Sequence, residues 1–489
     1  MRRIHVPLSR LVLTTVGAFV VAMFLVAAAV AKPPGHSGPH GKVACSQAAL
    51  VAAIDAANSA GGGTLDLAHQ CHYQLTSSPD NSENGLPAIT TAIKIKGNEA
   101  TIDGTDSFRD FEVDGPDGSL SAHDLTITGG SVGDFGGGIA NLGGSVTLDR
   151  VRVTGNSAVS AGGGIASATF SPASPATLTI RHSWVNHNQQ TSADPDTALG
   201  GGGIVNIEGT AKLDRTQVNG NTAQGFVGGG IANGDYFSFS GSDSVLKLNH
   251  SRVNGNAAPN GNGGGIQNLL GSVTADHTHV NGNTAVHGGG IVSGNANGGS
   301  TGPAELKLSH SEVNRNTATA GPPAPGEGPP IAAGGISNGS VAVLSHTQVD
   351  GNTASQTSGA GIVNHGAMTL RHSKVDGNTA AGSGARASGG GILNLASPDV
   401  PGTGVLTLDH SKVDHNSAGG NGGGISNGLA PMAVGGDVTL KHSSVRHNSA
   451  GHAGGIFNNG GTVTLKKTKV TENHPDNCEP TNSIAGCMN

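Results

Sequence analysis

Acidic residues cluster in one stretch of the N-terminal quarter of the chain. The stretch contains Asp103, Asp106, Asp110, Glu112, Asp114 and Asp117. Carboxylate oxygens are the ligands that calcium prefers in proteins. We therefore predict a calcium site whose ligands are Asp103, Asp106, Asp110 and Asp114. The alternative is a solvated, turn-rich surface, and the calcium-binding nonapeptide Gly-Gly-x-Gly-x-Asp does not occur in the chain.

Histidines occupy one position of a repeating sequence pattern, immediately before a Ser-x-Val or Thr-x-Val segment. At this position stand His182, His250, His277, His310, His346, His372, His410 and His442. Arg150, Arg215 and Lys467 fill the same position in three other repeats. One explanation is a backbone corner in the left-handed conformation, in which His is enriched. The other is a stacked basic stripe that binds anions or transition metals, although no carboxylate repeats beside it.

These positions belong to a sequence unit that recurs eleven times between residues 135 and 458. Each unit has Gly-Gly-Ile or Ala-Gly-Ile, one free residue and then Asn or Ser, and is accompanied by a segment Val-x-x-Asn. Successive Val anchors are 25 residues apart at the closest, from Val445 to Val470, and 38 at the farthest, from Val375 to Val413. A self-similar unit of this length indicates a solenoid.

The return segments of the repeat are rich in Gly, which costs about 1 kcal/mol per helical position relative to Ala. Short β-segments separated by turns therefore fit better than a leucine-rich repeat. In a parallel coil each strand pairs with its counterpart one turn away, at about 4.8 Å, so identical residues stack. The invariant Asn position is then expected to form an amide-to-amide ladder. Its members are Asn156, Asn188, Asn221, Asn256, Asn283, Asn316, Asn352, Asn378, Asn416, Asn448 and Asn473.

The paired signals Gly-Gly-x-Ile and Val-x-x-Asn resemble the repeats of right-handed parallel β-helix proteins of the pectate-lyase-like superfamily. They are most similar to the polymorphic outer membrane protein repeats, which read Gly-Gly-Ala-Ile and Phe-x-x-Asn. The match covers residues 125–474, with Val in place of Phe. This resemblance implies an all-β, right-handed parallel β-helix of about 13 coils. It fixes no activity, because lyases, hydrolases, adhesins and toxins share the fold.

The regions outside the repeats have distinct compositions. Residues 1–31 combine three arginines with a long apolar run and predict a secretory signal peptide; an uncleaved membrane anchor is the alternative. Residues 32–44 are rich in Pro, Gly and His and predict a flexible leader. We expect residues 45–124 to form an N-terminal cap with a helix over 48–58 and degenerate coils, and residues 475–489 to form a disulfide-closed tail.

The four cysteines lie near the two ends of the mature chain and allow three connectivities. Proximity in sequence favours Cys45 with Cys71 and Cys478 with Cys487. Two such bridges would hold the ends of a solenoid in an oxidising compartment. We therefore expect a secreted protein that is extracellular or associated with the cell surface.

The free residue of the Gly-Ile-x-Asn segment bears on catalysis. If Ile points inward, this residue points outward onto the strand face that binds substrate in catalytic members of the resembling family. The free positions hold Ala140, Ala166, Val205, Ala232, Gln267, Val292, Ser337, Val363, Leu393, Ser426 and Phe457. No acid or base is among them, whereas a glycosidase needs two carboxylates about 5 to 10 Å apart and a lyase needs a base.

Two functions therefore remain open at the level of sequence. The first is a non-catalytic scaffold whose variable loops serve adhesion or bind glycan or a cell surface, with Tyr236, Phe237, Phe239 and Phe170 as contact aromatics. The second is a polysaccharide lyase or glycoside hydrolase with its site in the irregular N-terminal coils or loops. We expect a monomer with no cofactor apart from the possible calcium, and with no stable membrane insertion after signal cleavage.

The charge of the chain argues against nucleic acid as a partner. The formal net charge is −7, and cleavage after residue 31 removes Arg2, Arg3 and Arg10, which gives −7 − 3 = −10. Nucleic-acid binding rests on neutralising phosphates with Lys and Arg. A polysaccharide or cell-surface ligand is the expected partner.

Overall fold

The computed structural model describes residues 40–489, except 172, 195–196, 226, 235–242, 295–303, 320–330, 356, 385–386, 397–402 and 432. The predicted signal peptide, most of the predicted leader and the aromatic residues Tyr236, Phe237 and Phe239 lie outside the described residues. Within the described part, no helix is both long and apolar enough to cross a membrane.

An N-terminal cap begins the fold. The helix Gln47–Ser59 starts where the Ser46 hydroxyl accepts a hydrogen bond from the Ala49 amide at 3.3 Å, as Ser does at helix N-caps. Its apolar face buries Leu50, Ile54 and Ala57. The predicted helix is therefore confirmed.

The end of the predicted leader is not flexible chain, so that part of the prediction is wrong. Residues His40–Val43 form a strand that pairs in parallel with Gly62–Leu67. The adjoining disulfide between Cys45 and Cys71 anchors this segment beside the cap, and its backbone groups gain partners at the edge of the first coil. Composition alone gave no sign of this pairing.

The rest of the described chain winds through three sheets, and we call one full turn a coil. Sheet 1 contains the Ile-x-Asn strands. Sheet 2 contains two strands from each regular coil except the first, which contributes the single strand Ser145–Thr154. Sheet 3 contains one short strand per coil. Among the described residues, every strand pairing is parallel except that of Ala433–Val434 with Ile425–Leu429, and one isolated antiparallel bridge joins Asp114 to Gly143.

The parallel strands of each sheet follow in chain order. Sheet 1 consists of Phe111–Asp114, Ile139–Leu142, Ile165–Ala168, Ile204–Ile207, Ile231–Gly234, Ile266–Leu269, Ile291–Ser293, Ile336–Asn338, Ile362–Asn364, Ile392–Asn394, Ile425–Leu429, Ile456–Asn458 and Cys478–Glu479. Sheet 2 consists of His40–Val43, Gly62–Leu67, His72–Gln74, Ala92–Asp103, Ser119–Thr128, Ser145–Thr154, Thr177–Arg181, Trp184–Asn186, Thr210–Asp214, Gln217–Asn219, Val245–Asn249, Arg252–Asn254, Ser272–Asp276, His279–Asn281, Glu305–Ser309, Glu312–Asn314, Val341–Ser345, Gln348–Asp350, Ala367–Arg371, Lys374–Asp376, Val405–Asp409, Lys412–Asp414, Asp437–Lys441, Ser444–Arg446, Thr462–Lys466 and Lys469–Thr471. Sheet 3 consists of Ser131–Val132, Ser157–Ala158, Gln189–Gln190, Thr222–Ala223, Ala257–Asn262, Thr284–His287, Thr317–Ala318, Thr353–Ser355, Thr379–Ala381, Ser417–Asn421 and Ser449–His452.

The strand register places identical residues on top of one another. Ile165 pairs with Ile139 in one neighbouring coil and with Ile204 in the other. Val185 pairs with Val218 in the same manner. The inward-pointing Ile, Leu and Val side chains of successive coils are buried in one continuous interior. The all-β parallel β-helix predicted from the repeat is confirmed.

The buried Asn side chains link successive coils. The backbone amide and Nδ2 of Asn256 donate to Oδ1 of Asn283 at 2.9 and 3.0 Å, and Asn283 donates in turn to Asn316. Nδ2 of Asn283 also donates to the carbonyl of Val253 at 2.9 Å. The same pattern runs from Asn156 to Asn473. Each amide thereby satisfies backbone groups at a turn that water cannot reach.

The two ends of the chain carry the predicted disulfides. Cys45 is bonded to Cys71 and Cys478 to Cys487, so this connectivity is confirmed. The C-terminal tail also extends the fold, because Cys478–Glu479 pairs in parallel with Ile456 and Phe457 of sheet 1.

Candidate functional site

The strand face that was predicted to be open is covered. The free residues of ten repeats, from Ala140 to Ser426, are buried, and that of the eleventh, Phe457, is half-buried. Ala166, Val205 and Ala232 form an apolar cluster separate from the main core, together with loop residues such as Leu199. The prediction of a solvent-exposed free position is therefore wrong. The variable loops carry apolar residues that pack on this face.

In the first and last strands of sheet 1, the residue that aligns with the free position is a glutamate. Glu112 aligns with Ala140, and Glu479 aligns with Phe457. Neither residue could be assigned to the free position from the sequence, because their coils lack the Gly-Gly-Ile signal. Burial raises the pKa of Glu112, and the nearby Arg109 partly opposes that effect.

Arg109 is a buried cation that joins three coils. Its guanidinium donates to Asn84 and Glu112, each at 2.5 Å, and also to Asp134. It further donates to the carbonyl of Phe135 at 2.9 Å. A charge this deeply buried persists only when it is paired and hydrogen-bonded. These contacts hold the start of the regular repeats against the irregular coils.

The four aspartates of the predicted calcium site lie in different environments. Asp103 accepts from the Thr105 amide at 2.9 Å, and its other oxygen lies 2.7 Å from Nε2 of His72. Asp106 is an exposed turn residue with φ of 55°. Asp110 is fully buried, and its burial and the charge of Asp103 raise its pKa well above the ordinary value. Asp114 ends the first strand of sheet 1.

These aspartates do not converge. Among the described residues, they do not form a group of three ligand atoms within 4.8 Å of one another. The reason is that the chain distributes them between two sheets and an intervening turn. Calcium binding by these four residues stays a prediction.

The histidine position lies at a corner of sheet 2, between the two strands of a coil. All eight histidines adopt φ between 46° and 50°. Seven of them, from His250 to His442, form one stack with ring centroids 4.7 to 5.1 Å apart and planes inclined by 5° to 23°. Because each ring stands one coil from the next, this spacing is the spacing between paired strands. We call these seven residues the histidine stripe.

Carboxylates accompany the corner in four coils, so the sequence interpretation that none repeats beside it needs correction. Asp149, Asp214, Asp276 and Asp409 each precede a corner residue. Oδ2 of Asp276 lies 2.9 Å from Nδ1 of His277, and Oδ1 of Asp409 lies 2.9 Å from Nδ1 of His410. The signal was present in the sequence as the dipeptide Asp-His, but it is absent from most repeats.

Asp276 contacts histidines of two coils. Besides His277, its Oδ1 lies 3.5 Å from Nδ1 of His310. A hydrogen bond from the Ser309 hydroxyl, followed by the contacts with the two histidines, lowers the pKa of Asp276 to about 2. The carboxylate is therefore ionised at neutral pH.

A shallow groove of about 380 Å³ lies on sheet 2, beside the N-terminal end of the stripe. Its polar lining includes Arg181, Lys212, Arg215 and Lys247. Lys212 and Lys247 pair directly on adjacent strands and are exposed. Arg215 contacts Asp214 at 3.0 Å, and this aspartate is the one acid in the lining. We call this feature the basic groove.

The chain is thus a disulfide-closed parallel β-helix protein with one covered sheet and one open, basic and histidine-rich corner. No protein-family model matches it, and no curated protein matches it. Among solved structures, it is similar to the A-module of the mannuronan C-5 epimerase AlgE6 of Azotobacter vinelandii. That comparison has 12% identity and a TM-score of 0.30, and covers 86% of this chain and 94% of the module. A likeness at this TM-score supports no inference about activity.

Proposed function

We propose that this protein is a secreted, non-catalytic β-helix scaffold that binds an acidic polysaccharide in the basic groove. The observation that carries the proposal is the pair Lys212 and Lys247. Both ammonium groups stand exposed on neighbouring strands, and neither has an ion pair within the described residues. A linear polyanion that lies along the helix axis meets one cation per strand.

The local charge of the groove supports an anionic ligand. The chain as a whole has a formal charge of −7, yet four of the groove's side chains are cationic and one is acidic. Clefts lined by charges of one sign concentrate counter-charged ligands. The guanidinium groups of Arg181 and Arg215 match the geometry of carboxylates and sulfates.

The covered face of sheet 1 supports a binding role over a catalytic one. Loops close over the free residues, such as Val205 and Ala232, so a polysaccharide chain finds no open strand floor in that cluster. The part that the variable loops play in adhesion stays a prediction. Of the four aromatic residues proposed to make contacts, Phe170 lies in the described part, where it is 47% exposed.

The proposal is tested by measuring polysaccharide affinity with calorimetry, using polygalacturonate, alginate and neutral dextran. We expect both polyanions to bind and dextran not to bind. Replacing both Lys212 and Lys247 by Ala should weaken binding by at least about tenfold, because surface charge pairs with a polyanion add up. Raising the salt concentration should weaken binding by the wild type.

Lys307 provides the matched control. It occupies the same outward position two strands further along the sheet, but its ammonium group is already bonded to Glu305 at 2.6 Å. Lys307→Ala should leave the affinity within about twofold. Equal losses of affinity in the double variant and in Lys307→Ala would contradict binding in the basic groove. Binding of dextran as tight as that of the polyanions would contradict it as well.

Glu112 favours a second candidate function, a polysaccharide lyase or hydrolase. A half-buried carboxyl with a raised pKa is typical of a general acid, and Glu112 occupies the free position of sheet 1. The same polysaccharides should be screened for turnover with and without calcium. Turnover that Glu112→Gln abolishes and Asp106→Asn preserves would replace the binding proposal by this one.

A further inference from the structure

We propose that the histidine stripe carries two binding sites for a divalent transition metal. One site is formed by Asp276, His277 and His310. The other is formed by Asp409, His410 and His442. In each site an aspartate and the histidine after it come from one coil, and the second histidine comes from the next coil. These sites share no residue with the basic groove, so the inference goes beyond the proposed function.

The arrangement of charges along the corner selects these two places. A three-ligand site of this kind needs a carboxylate, a histidine directly after it, and a second histidine at the corner of the next coil. Asp149 and Asp214 fail this requirement because Arg150 and Arg215 occupy their own corner positions. Within the described chain, the two groups named above are the ones whose ligand atoms all lie within 4.8 Å of one another.

The distances are close to those of a loaded site. In the first site, Asp276 contacts His277 at 2.9 Å and His310 at 3.5 Å. Zinc ligands lie about 2.0 to 2.2 Å from the ion, so bound ligand atoms stand roughly 3 to 4 Å apart. Small rotations of these exposed side chains are sufficient, because the strand register already fixes their backbone positions.

The ligand set determines the class of metal. Two imidazoles with one carboxylate suit zinc, nickel or copper, whereas calcium and magnesium prefer oxygen ligands throughout. The ionised Asp276 supplies a negative charge. The side chains of His277 and His310 are 49% and 51% exposed. The remaining coordination positions are therefore open to water or to an anionic ligand.

The stripe contains its own control pair. His346 and His372 stack with centroids 5.1 Å apart, much like the proposed ligands. Ser345 and Arg371 precede them, however, so neither histidine follows a carboxylate in its own coil, and the aspartate of the next coil, Asp409, aligns with the cation Arg371. If stacking alone were sufficient to bind metal, this pair would bind as tightly as the other two.

The test is calorimetric titration of the metal-stripped secreted protein with zinc chloride at pH 7.5. We expect Asp276→Asn and Asp409→Asn each to remove one equivalent of the tightest zinc binding, and the double variant to remove two. His346→Asn should remove none. Asn is chosen at the corner because it tolerates the left-handed backbone. Thermal melting without metal checks that each variant is folded.

Two results would overturn the inference: a wild type that does not bind micromolar zinc, or a double variant that keeps the full stoichiometry. If an aspartate variant fails to fold, His310→Asn removes a ligand from the same site and is expected to remove the same equivalent. In the wild type, zinc should shift the ring NMR signals of His277 and His310 and leave those of His182, which stands at the same corner but outside the stack, unchanged. Polysaccharide affinity of the groove is measured with a chelator present, so failure of one proposal leaves the other intact.

Discussion

The Asn ladder and the histidine stripe are built by the same strand register but lie in opposite surroundings. In both, one residue type stacks coil upon coil. The ladder amides are buried and bond to one another and to the backbone. The rings of the stripe are about half exposed. Stacking by itself therefore assigns no role, and burial decides whether a repeated residue stabilises the fold or is presented to ligands.

Removal of one Asn side chain from the ladder should destabilise the protein more than removal of one ring from the stripe. Asn283 accepts two hydrogen bonds from Asn256 and donates to Val253 and Asn316. Water cannot replace these partners in the interior. At the corner, solvent reaches the ring of His277 and replaces any contact that it loses.

The largest expected difference follows from this contrast. Asn283→Ala should lower the free energy of unfolding by about 3 kcal/mol, because buried donors and acceptors left unsatisfied cost about 1–3 kcal/mol each. His277→Asn, at the corner of the same coil, should change it by less than about 0.5 kcal/mol. Urea denaturation followed by circular dichroism measures both. Similar losses of unfolding free energy in the two variants would show that burial does not distinguish the role of the Asn ladder from that of the histidine stripe.

A smaller effect distinguishes the contribution of the left-handed backbone at the corner from the contribution of ring stacking. His346→Val should destabilise the protein by about 1–2 kcal/mol, since a β-branched residue resists the left-handed conformation that His346 adopts with φ of 50°. His346→Asn should be nearly neutral because Asn tolerates this conformation. Midpoints of chemical denaturation measure the two changes. A large loss with Asn would mean that ring stacking contributes substantially to stability.

The smallest effect concerns Asp276, the carboxylate that contacts His277 and His310 of the histidine stripe. The pKa of Asp276 is lowered to about 2, so its stabilising contribution is present above the ordinary pKa near 3.8 and is lost as the pH falls through 2. Because the side chain is 41% exposed, solvent screening limits this contribution to a few tenths of a kcal/mol.

We therefore expect Asp276→Asn, measured with a chelator present, to lower the free energy of unfolding slightly at pH 7 and not at pH 2. A loss for Asp276→Asn that is the same at both pH values would contradict the electrostatic origin of the effect.

The fold was readable from the sequence because local signals agree in every repeat. Invariant Ile, Val and Asn positions predicted parallel stacking, and the observed register pairs Ile with Ile and Val with Val. The capping helix and both disulfides were predicted for the same reason, since each involves residues close in sequence. The likeness to polymorphic outer membrane protein repeats in particular stays a prediction.

The candidate sites were less readable, because they depend on contacts between coils. The exposure of Val205 and Ala232 was predicted wrongly because strand alternation gives the direction of a side chain but not the loops that cover it. Glu112 was named as part of an acidic stretch but not assigned to the free position, because its alignment with Ala140 appears only in the strand pairing. Because loop lengths vary between repeats, the periodicity of the sequence shows neither the loops that cover the strand nor the alignment of Glu112 with Ala140.

By itself, the sequence determined the parallel β-helix, its buried ladder and the histidines of one corner, because repeated residues in register must stack. The tertiary structure decided which repeated positions are open and which side chains of neighbouring coils meet. Asp276 and His310 stand 34 residues apart in the chain, yet their side-chain atoms come within 3.5 Å. The length of the intervening loop determines their separation in sequence, whereas the spacing between paired strands determines their distance in space.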